Sequence, residues 1–212
     1  TEQDLATAVY SVASDAPRSF TGSADHLVSN AFYFDDPEGN GVELYWDRPR
    51  SAWEYIDGSP KMGSSALDPN AYLREHLDET ARARASERAA KVGHVHLSVG
   101  DVPTARAFYV DRLGFEVVGD FGTALFVSAG GYHHHMAMNV WQSRGAGRRQ
   151  LTLGLGLVRI EVPRPDRLRA SSRSVTSRGS GVLRCSSAIC QAQPAAITTT
   201  ATPASAASQM RR

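Results

Sequence analysis

The sequence predicts an α+β fold organised around a βαβββ unit, and three observations carry that prediction. Residues 94–99 (HVHLSV) alternate apolar and polar side chains as a half-buried strand does, and an amphipathic helical pattern follows directly. Three more strand-like segments bring the unit to a close at Trp141. Upstream, residues 31–46 read as strand, turn, strand by local chemistry alone.

Taken in order, QDLATAVYSVA (3–13) carries a weak helical pattern, with Leu5, Val9 and Val12 spaced for one face. SDAPRSFTGSADH (14–26) is polar and rich in turn formers. AFYF (31–34) and VELYW (42–46) flank the turn DDPEGNG (35–41), which supplies Pro, Gly and Asn. Residues 47–68 read as a connecting loop. From Asp68 the stretch DPNAYLREHLDETARARASERAAK predicts an exposed linker helix, with Asp68 as N-cap and Pro69 at the first helical position.

In the next block, Val95, Leu97 and Val99 share one strand face and His94, His96 and Ser98 the other. Asp101 caps the helix VPTARAFYVDRLG, and Gly114 ends it. FEVVGD (115–120), ALFVSA (124–129) and HMAMNVW (135–141) are the remaining strands. The helix at 3–13 and the hairpin at 31–46 match the later part of a second such unit.

Composition changes sharply after Trp141. The 212 residues balance to a net charge of +1, but residues 1–141 hold 11 basic and 20 acidic side chains, while 142–212 hold 12 Arg, one Glu and one Asp. All 17 aromatic residues and all 7 His lie before residue 142. In 170–212, 23 of 43 residues are Ser, Thr or Ala. Such a segment buries too little apolar area to offset its conformational entropy, so disorder is expected there. The expected organisation is therefore a partial module over 1–50, a linker with a helix over 51–91, a full module over 92–149, and a basic tail over 150–212.

Several function classes fall away. No apolar run reaches the roughly 18 residues needed to cross a bilayer, so no membrane partner is expected. No secretory signal is visible at the N-terminus, and the two cysteines, Cys185 and Cys190, both lie in the tail, so the expected setting is cytoplasmic. The tail arginines are dispersed without aromatic residues between them, which argues against a nucleic-acid partner. GDFG (119–122) lacks the companion loops of a phosphoryl-transfer site.

Three features remain that can carry chemistry. Glu43 sits in mid-strand, on either a solvated sheet face or a pocket wall. His94 and His96, at i and i+2, suit a divalent transition metal or a pair of hydrogen-bonded structural histidines. In GGYHHHMAMNVW (130–141) an extended chain points His133 and His135 one way and His134 the other, so at most two of the three serve one centre, as ligands or as pocket wall.

DPEGNGVELYWDRPRSAW (36–53) resembles the closing hairpin of modules in the vicinal oxygen chelate superfamily, which includes glyoxalases, bleomycin-resistance proteins and extradiol dioxygenases. VGHVHLSVGDVPTARAFYVDRLGFEVVGDF (92–121) resembles the opening of another module, and ALFVSAGGYHHHMAMNVW (124–141) is similar to the catechol-2,3-dioxygenase-like branch. The resemblance, over about residues 20–149, implies curved mixed sheets around a metal. It also implies His94 and Glu43 as ligands, His26 and one of His133 to His135 (His134 or His135) as acid/base, and His96 as pocket lining. It further implies Fe(II) or Mn(II) as the metal, with a small catechol-type aromatic and O2 as substrates.

A full family member is expected to hold four modules. The chain thus reads as lacking the front of the earlier module before Thr1, and as truncated or out of frame after about residue 149. Low activity in isolation and a tendency to form a homo-oligomer are the corresponding expectations. Two alternatives remain: a glyoxalase-like lyase or isomerase, which would need a second carboxylate, and a non-catalytic ligand-binding module of the bleomycin-resistance kind.

Overall fold

A computed structural model describes residues 1–78, 80, 83, 90–148, 157–160 and 197–200. The chain divides into two compact units, Thr1–Ala90 and Lys91–Arg212.

The first unit opens with α1, Glu2–Asp15. Thr1 caps it: its hydroxyl accepts from the Asp4 N–H at 3.1 Å, and the Asp4 carboxylate reaches back to the Thr1 backbone. Strands β1 (Phe20–Asp25), β2 (Ser29–Asp35) and β3 (Gly41–Asp47) follow, then the short pair β4 (Tyr55–Ile56) and β5 (Ser59–Pro60), β6 (Ser65–Ala66), and α2 (Pro69–His76). The main sheet has the order β3-β2-β1-β6 and is antiparallel throughout. The hairpin is pinned at its turn by Asp36, whose Oδ1 accepts from the N–H groups of Glu38 and Asn40 at 2.8 Å each. Leu5 and Val9 of α1 pack with Phe32 and Phe34 of β2 and Tyr72 of α2 to form the core.

Two expectations are corrected here. Residues 14–26, read as turn-rich, include the strand β1, whose small residues Gly22, Ser23 and Ala24 hide its pattern. The helix from Asp68 stops at His76 and is not an exposed linker, since Tyr72 is buried against Phe32 at a ring distance of 5.1 Å. Leu77 is extended, and the Asp78 carboxylate accepts from Gln3 Nε2 at 2.7 Å and from the Thr80 N–H at 2.8 Å. Those bonds offer the chain an alternative to another helical turn. Most of the expected continuation lies outside the described residues.

The second unit runs β7 (Val95–Ser98), α3 (Val102–Arg106) with a widened π-helical continuation over Ala107–Arg112, β8 (Glu116–Asp120), β9 (Ala124–Ser128) and β10 (Met136–Asn139). That is the expected βαβββ order, and its sheet is mixed: the order is β7-β10-β9-β8, with β7 and β10 parallel and the other pairs antiparallel. Asp101 caps α3 by accepting from the Thr104 N–H at 2.8 Å. Gly114 ends the helix with φ +81, a left-handed conformation that a side chain would strain. Val95, Leu125, Val127, Met136 and Met138 point to one side of the sheet and bury against Val102, Ala105 and Phe115. The opposite face carries Ala124, Phe126 and Ser128 of β9, Ala137 and Asn139 of β10, and His96 of β7.

Within the tail, β11 (Leu157–Ile160) and β12 (Ile197–Thr200) pair antiparallel, and Val158 packs against the core of the second unit. The rest of the segment expected to be disordered lies outside the described residues. No helix among the described residues is long and apolar enough to cross a membrane.

Candidate metal centre

In the second unit, β7 buries Val95 and so turns His94 and His96 to the other face of the sheet. The parallel partner β10 begins opposite it, with Met136 across from Val95 and Ala137 across from His96. The chain reaches β10 through Gly130 and Gly131, whose φ values of +66 and +68 reverse its direction after β9. Residues 133–135 therefore leave the strict alternation of an extended strand, and His134 swings towards β7. The Val95 N–H donates to the His135 carbonyl at 3.1 Å and fixes this approach.

His94, His96 and His134 converge: one ring nitrogen from each lies within 4.8 Å of the other two. His96 Nε2 and His134 Nε2 lie 3.2 Å apart. Two imidazole nitrogens bound to one divalent ion at about 2.0–2.1 Å stand about 3 Å apart, so this spacing fits a shared ion. The His94 ring lies 4.2 Å from the His134 ring and 5.2 Å from the His96 ring. His134 is buried, His94 half-buried and His96 exposed, which leaves the centre open on one side. Phe126 sets its ring edge to face against His134 at 5.1 Å and His96 at 5.9 Å, and the exposed Phe121 packs on Phe126 at 5.7 Å. An aromatic wall thus borders the three nitrogens.

The other two consecutive histidines are directed elsewhere. His135 Nδ1 accepts from the Ala129 N–H at 3.3 Å and lies 3.0 Å from Ser128 Oγ. Because a backbone N–H can only donate, a neutral His135 carries its proton on Nε2, and the Ser128 hydroxyl donates to Nδ1. His133 is buried beside Tyr132, ring to ring at 4.1 Å, and its Nδ1 lies 2.8 Å from His134 Nδ1.

The first unit holds a separate hydrogen-bonded chain. His26 Nδ1 lies 2.9 Å from the Gly63 carbonyl, which accepts, so the proton is on Nδ1. His26 Nε2 lies 2.5 Å from the Tyr33 hydroxyl, and that hydroxyl also donates to Glu43 Oε1 at 3.4 Å. Burial, and then the negative charge of Glu43, hold the Tyr33 phenol well above its ordinary value.

The family model described as the Glyoxalase/Bleomycin resistance protein/Dioxygenase superfamily matches residues 91–184, a span that contains the histidine cluster and continues past residue 149. A catechol-2,3-dioxygenase of Bacillus subtilis (strain 168) is 41% identical over 162 residues, an alignment covering 74% of this chain and 56% of that protein. The chain belongs to the vicinal oxygen chelate superfamily. It spans little more than half the length of the relative it matches.

In this vicinal oxygen chelate chain, the structure brings together His94, His96 and His134; the i, i+2 spacing leaves His96 open as a metal ligand, whereas the family resemblance implies it as pocket lining. The structure also joins His26 and Glu43 through Tyr33, a residue the sequence reading passed over. The signal for Tyr33 was present: the hairpin register sets it directly across from Glu43.

Proposed function

We propose that the chain carries a metal-dependent extradiol dioxygenase-type site for a small catechol-type aromatic and O2. The observation that carries this reading is the convergence of His94, His96 and His134 nitrogens within 4.8 Å, beside the rings of Phe126 and Phe121. The donor set is three imidazoles, which suits Fe(II) and also Mn(II), Co(II) or Zn(II). When bound, the ion supplies Lewis acidity and holds the two substrates side by side.

The protein's own contributions follow from its geometry. The Phe126 and Phe121 rings offer an apolar surface on which an aromatic substrate can stack. His135 presents a proton at Nε2 that Ser128 and the Ala129 amide fix in place, the arrangement expected of a residue that gives or takes a proton in ring opening. The family resemblance leaves that part to His134 or His135; with a His134 nitrogen in the cluster, this reading assigns it to His135. On the first unit, the Tyr33 hydroxyl shares its proton between His26 Nε2 and Glu43 Oε1, so His26 and Tyr33 are the acid/base candidates there. The family resemblance implies Glu43 as a carboxylate ligand; in the first unit it accepts from the Tyr33 hydroxyl, and the three imidazoles belong to the second. A cytoplasmic setting, without nucleic-acid or membrane partners, is part of this reading.

A glyoxalase-like lyase or isomerase is disfavoured because the cluster in the second unit contains imidazoles and no carboxylate. The test is anaerobic reconstitution with Fe(II), followed by metal analysis and oxygen uptake on catechol. One iron per chain with a yellow ring-cleavage product supports the reading, and His94→Ala should abolish both. A parent chain that retains no more iron than His94→Ala sinks it. Ligand binding that a chelator leaves unchanged would favour the non-catalytic module.

A further inference from the structure

His133 is 1% exposed and is held against the Tyr132 ring; it meets the centre through His134, and edge-on through the His94 ring at 6.0 Å. The two Nδ1 atoms face each other at 2.8 Å, a hydrogen-bond distance, so one of them must carry a proton and the other must not. Two proton arrangements satisfy that bond. In one, His134 donates from Nδ1 and its Nε2 is a bare lone pair, directed at the group 3.2 Å away that includes His96 Nε2. In the other, His133 donates, and the His134 proton moves to Nε2, where it would occupy the direction an ion needs.

We propose that His133 is a positioning residue that accepts the His134 Nδ1 proton and so fixes His134 as the tautomer whose Nε2 lone pair faces His94 and His96. Metal-binding imidazoles generally donate their second N–H to an acceptor, which sets both tautomer and ring orientation. Here the acceptor is another imidazole, and its burial keeps water from competing for the bond. The stack on Tyr132, 4.1 Å between ring centres and tilted by 35°, keeps the His133 ring from rotating away. This inference rests on the reading of the trio as a metal centre, but its first test does not need the metal.

Long-range 1H–15N correlation spectra of the metal-free chain, recorded at about pH 8 where ordinary imidazoles are neutral, report each tautomer directly. The expected pattern is Nδ1–H for His134 and Nε2–H for His133; an Nε2–H pattern for His134 overturns the proposal. Zinc affinity is the second readout. His133→Phe keeps the ring volume and removes the acceptor, and should weaken binding by about 10- to 100-fold. His133→Asn places a carbonyl oxygen near the lost Nδ1 and should recover most of that loss. Equal affinity in parent and Phe variant, or no recovery with Asn, overturns the proposal. Should the Phe variant fail to fold, the Asn variant and the spectra decide. If the parent binds no zinc, the metal reading fails while the tautomer pattern still decides the role of His133.

Discussion

Tyr33 and Glu43 stand directly opposite each other on β2 and β3, and the Tyr33 hydroxyl donates to Glu43 Oε1 at 3.4 Å while also meeting His26 Nε2. One hydroxyl proton is thus placed between a base and a carboxylate on a partly buried sheet face. Register alone produces the pairing, because the turn over residues 36–40 sets which residues of the two strands face each other.

Glu43→Gln removes the charge that opposes ionisation of Tyr33 and leaves the burial. The Tyr33 phenol should therefore titrate at lower pH than in the parent, though still above 10.0, the ordinary value for tyrosine. Tyrosinate absorbance followed against pH, with Tyr33→Phe as the reference that removes the signal, measures the shift. An unchanged titration would mean that Glu43 does not act on Tyr33.

Removing either member of the His96–His134 nitrogen pair should have the same consequence. His96→Ala and His134→Ala each leave two donors, and two imidazoles hold a first-row ion poorly against water. Loss of a mere supporting partner already costs 10- to 100-fold in affinity, so about 100-fold or more is expected for each. Isothermal titration with Co(II) or Zn(II) checks this. His135→Ala, whose Nδ1 is taken by Ala129 and Ser128, should leave affinity within about threefold of the parent, well short of even a supporting partner's loss.

Asp25 and Arg48 predict behaviour in acid. Arg48 Nη1 and Nη2 donate to the two Asp25 carboxylate oxygens at 2.7 and 2.9 Å, and Nη1 also reaches the Leu27 carbonyl. The hydrogen bond from Arg48 holds the Asp25 carboxyl below its ordinary value of 3.8. A lowered folded value means the stabilisation is present above about pH 4 and is lost as pH falls through the folded value. Asp25→Asn should cost about 1–2 kcal/mol near neutrality and flatten the acid limb of a stability curve measured by urea unfolding. A parallel curve, shifted but equally steep, would place the acid sensitivity elsewhere.

The legible parts of this chain were those with strong local patterns. Strict alternation in HVHLSV, the Asp101 cap and Gly114 stop, and the turn between β2 and β3 each point to one conformation without help from distant residues. β1 escaped notice because Gly22, Ser23 and Ala24 are small, and their pairing with β2 is decided by the neighbouring strand. Which of the three consecutive histidines joins His94 and His96 was not legible, because β10 begins only at Met136 and the preceding residues curve out of the Gly130–Gly131 turn. His133 has no sequence signature beyond being a histidine, and the i, i+2 spacing of His94 and His96 leaves both metal ligation and structural hydrogen bonding open; their tasks follow from which nitrogens the folded sheet brings within reach.

Tyr72 predicts behaviour in alkali. Its ring packs on Phe32 and on His76, and burial together with the nearby charge of Glu2 pushes its phenol up to about 12, from 10.0. A raised folded value means that the protonated form is favoured by folding. Its contribution to stability is therefore complete below about pH 10 and drains away as pH rises from 10.0 towards about 12. Tyr72→Phe keeps the ring contact and removes the ionisable group. The variant should lose about 1 kcal/mol at neutral pH, because the Tyr72 hydroxyl hydrogen-bonds the Asn30 side chain and makes a long 3.5 Å bond to the Glu2 carbonyl. Between pH 10 and 12 it should lose stability less steeply than the parent. Urea midpoints measured across that range separate the two chains, and identical slopes would show that Tyr72 ionises as readily in the folded as in the unfolded chain.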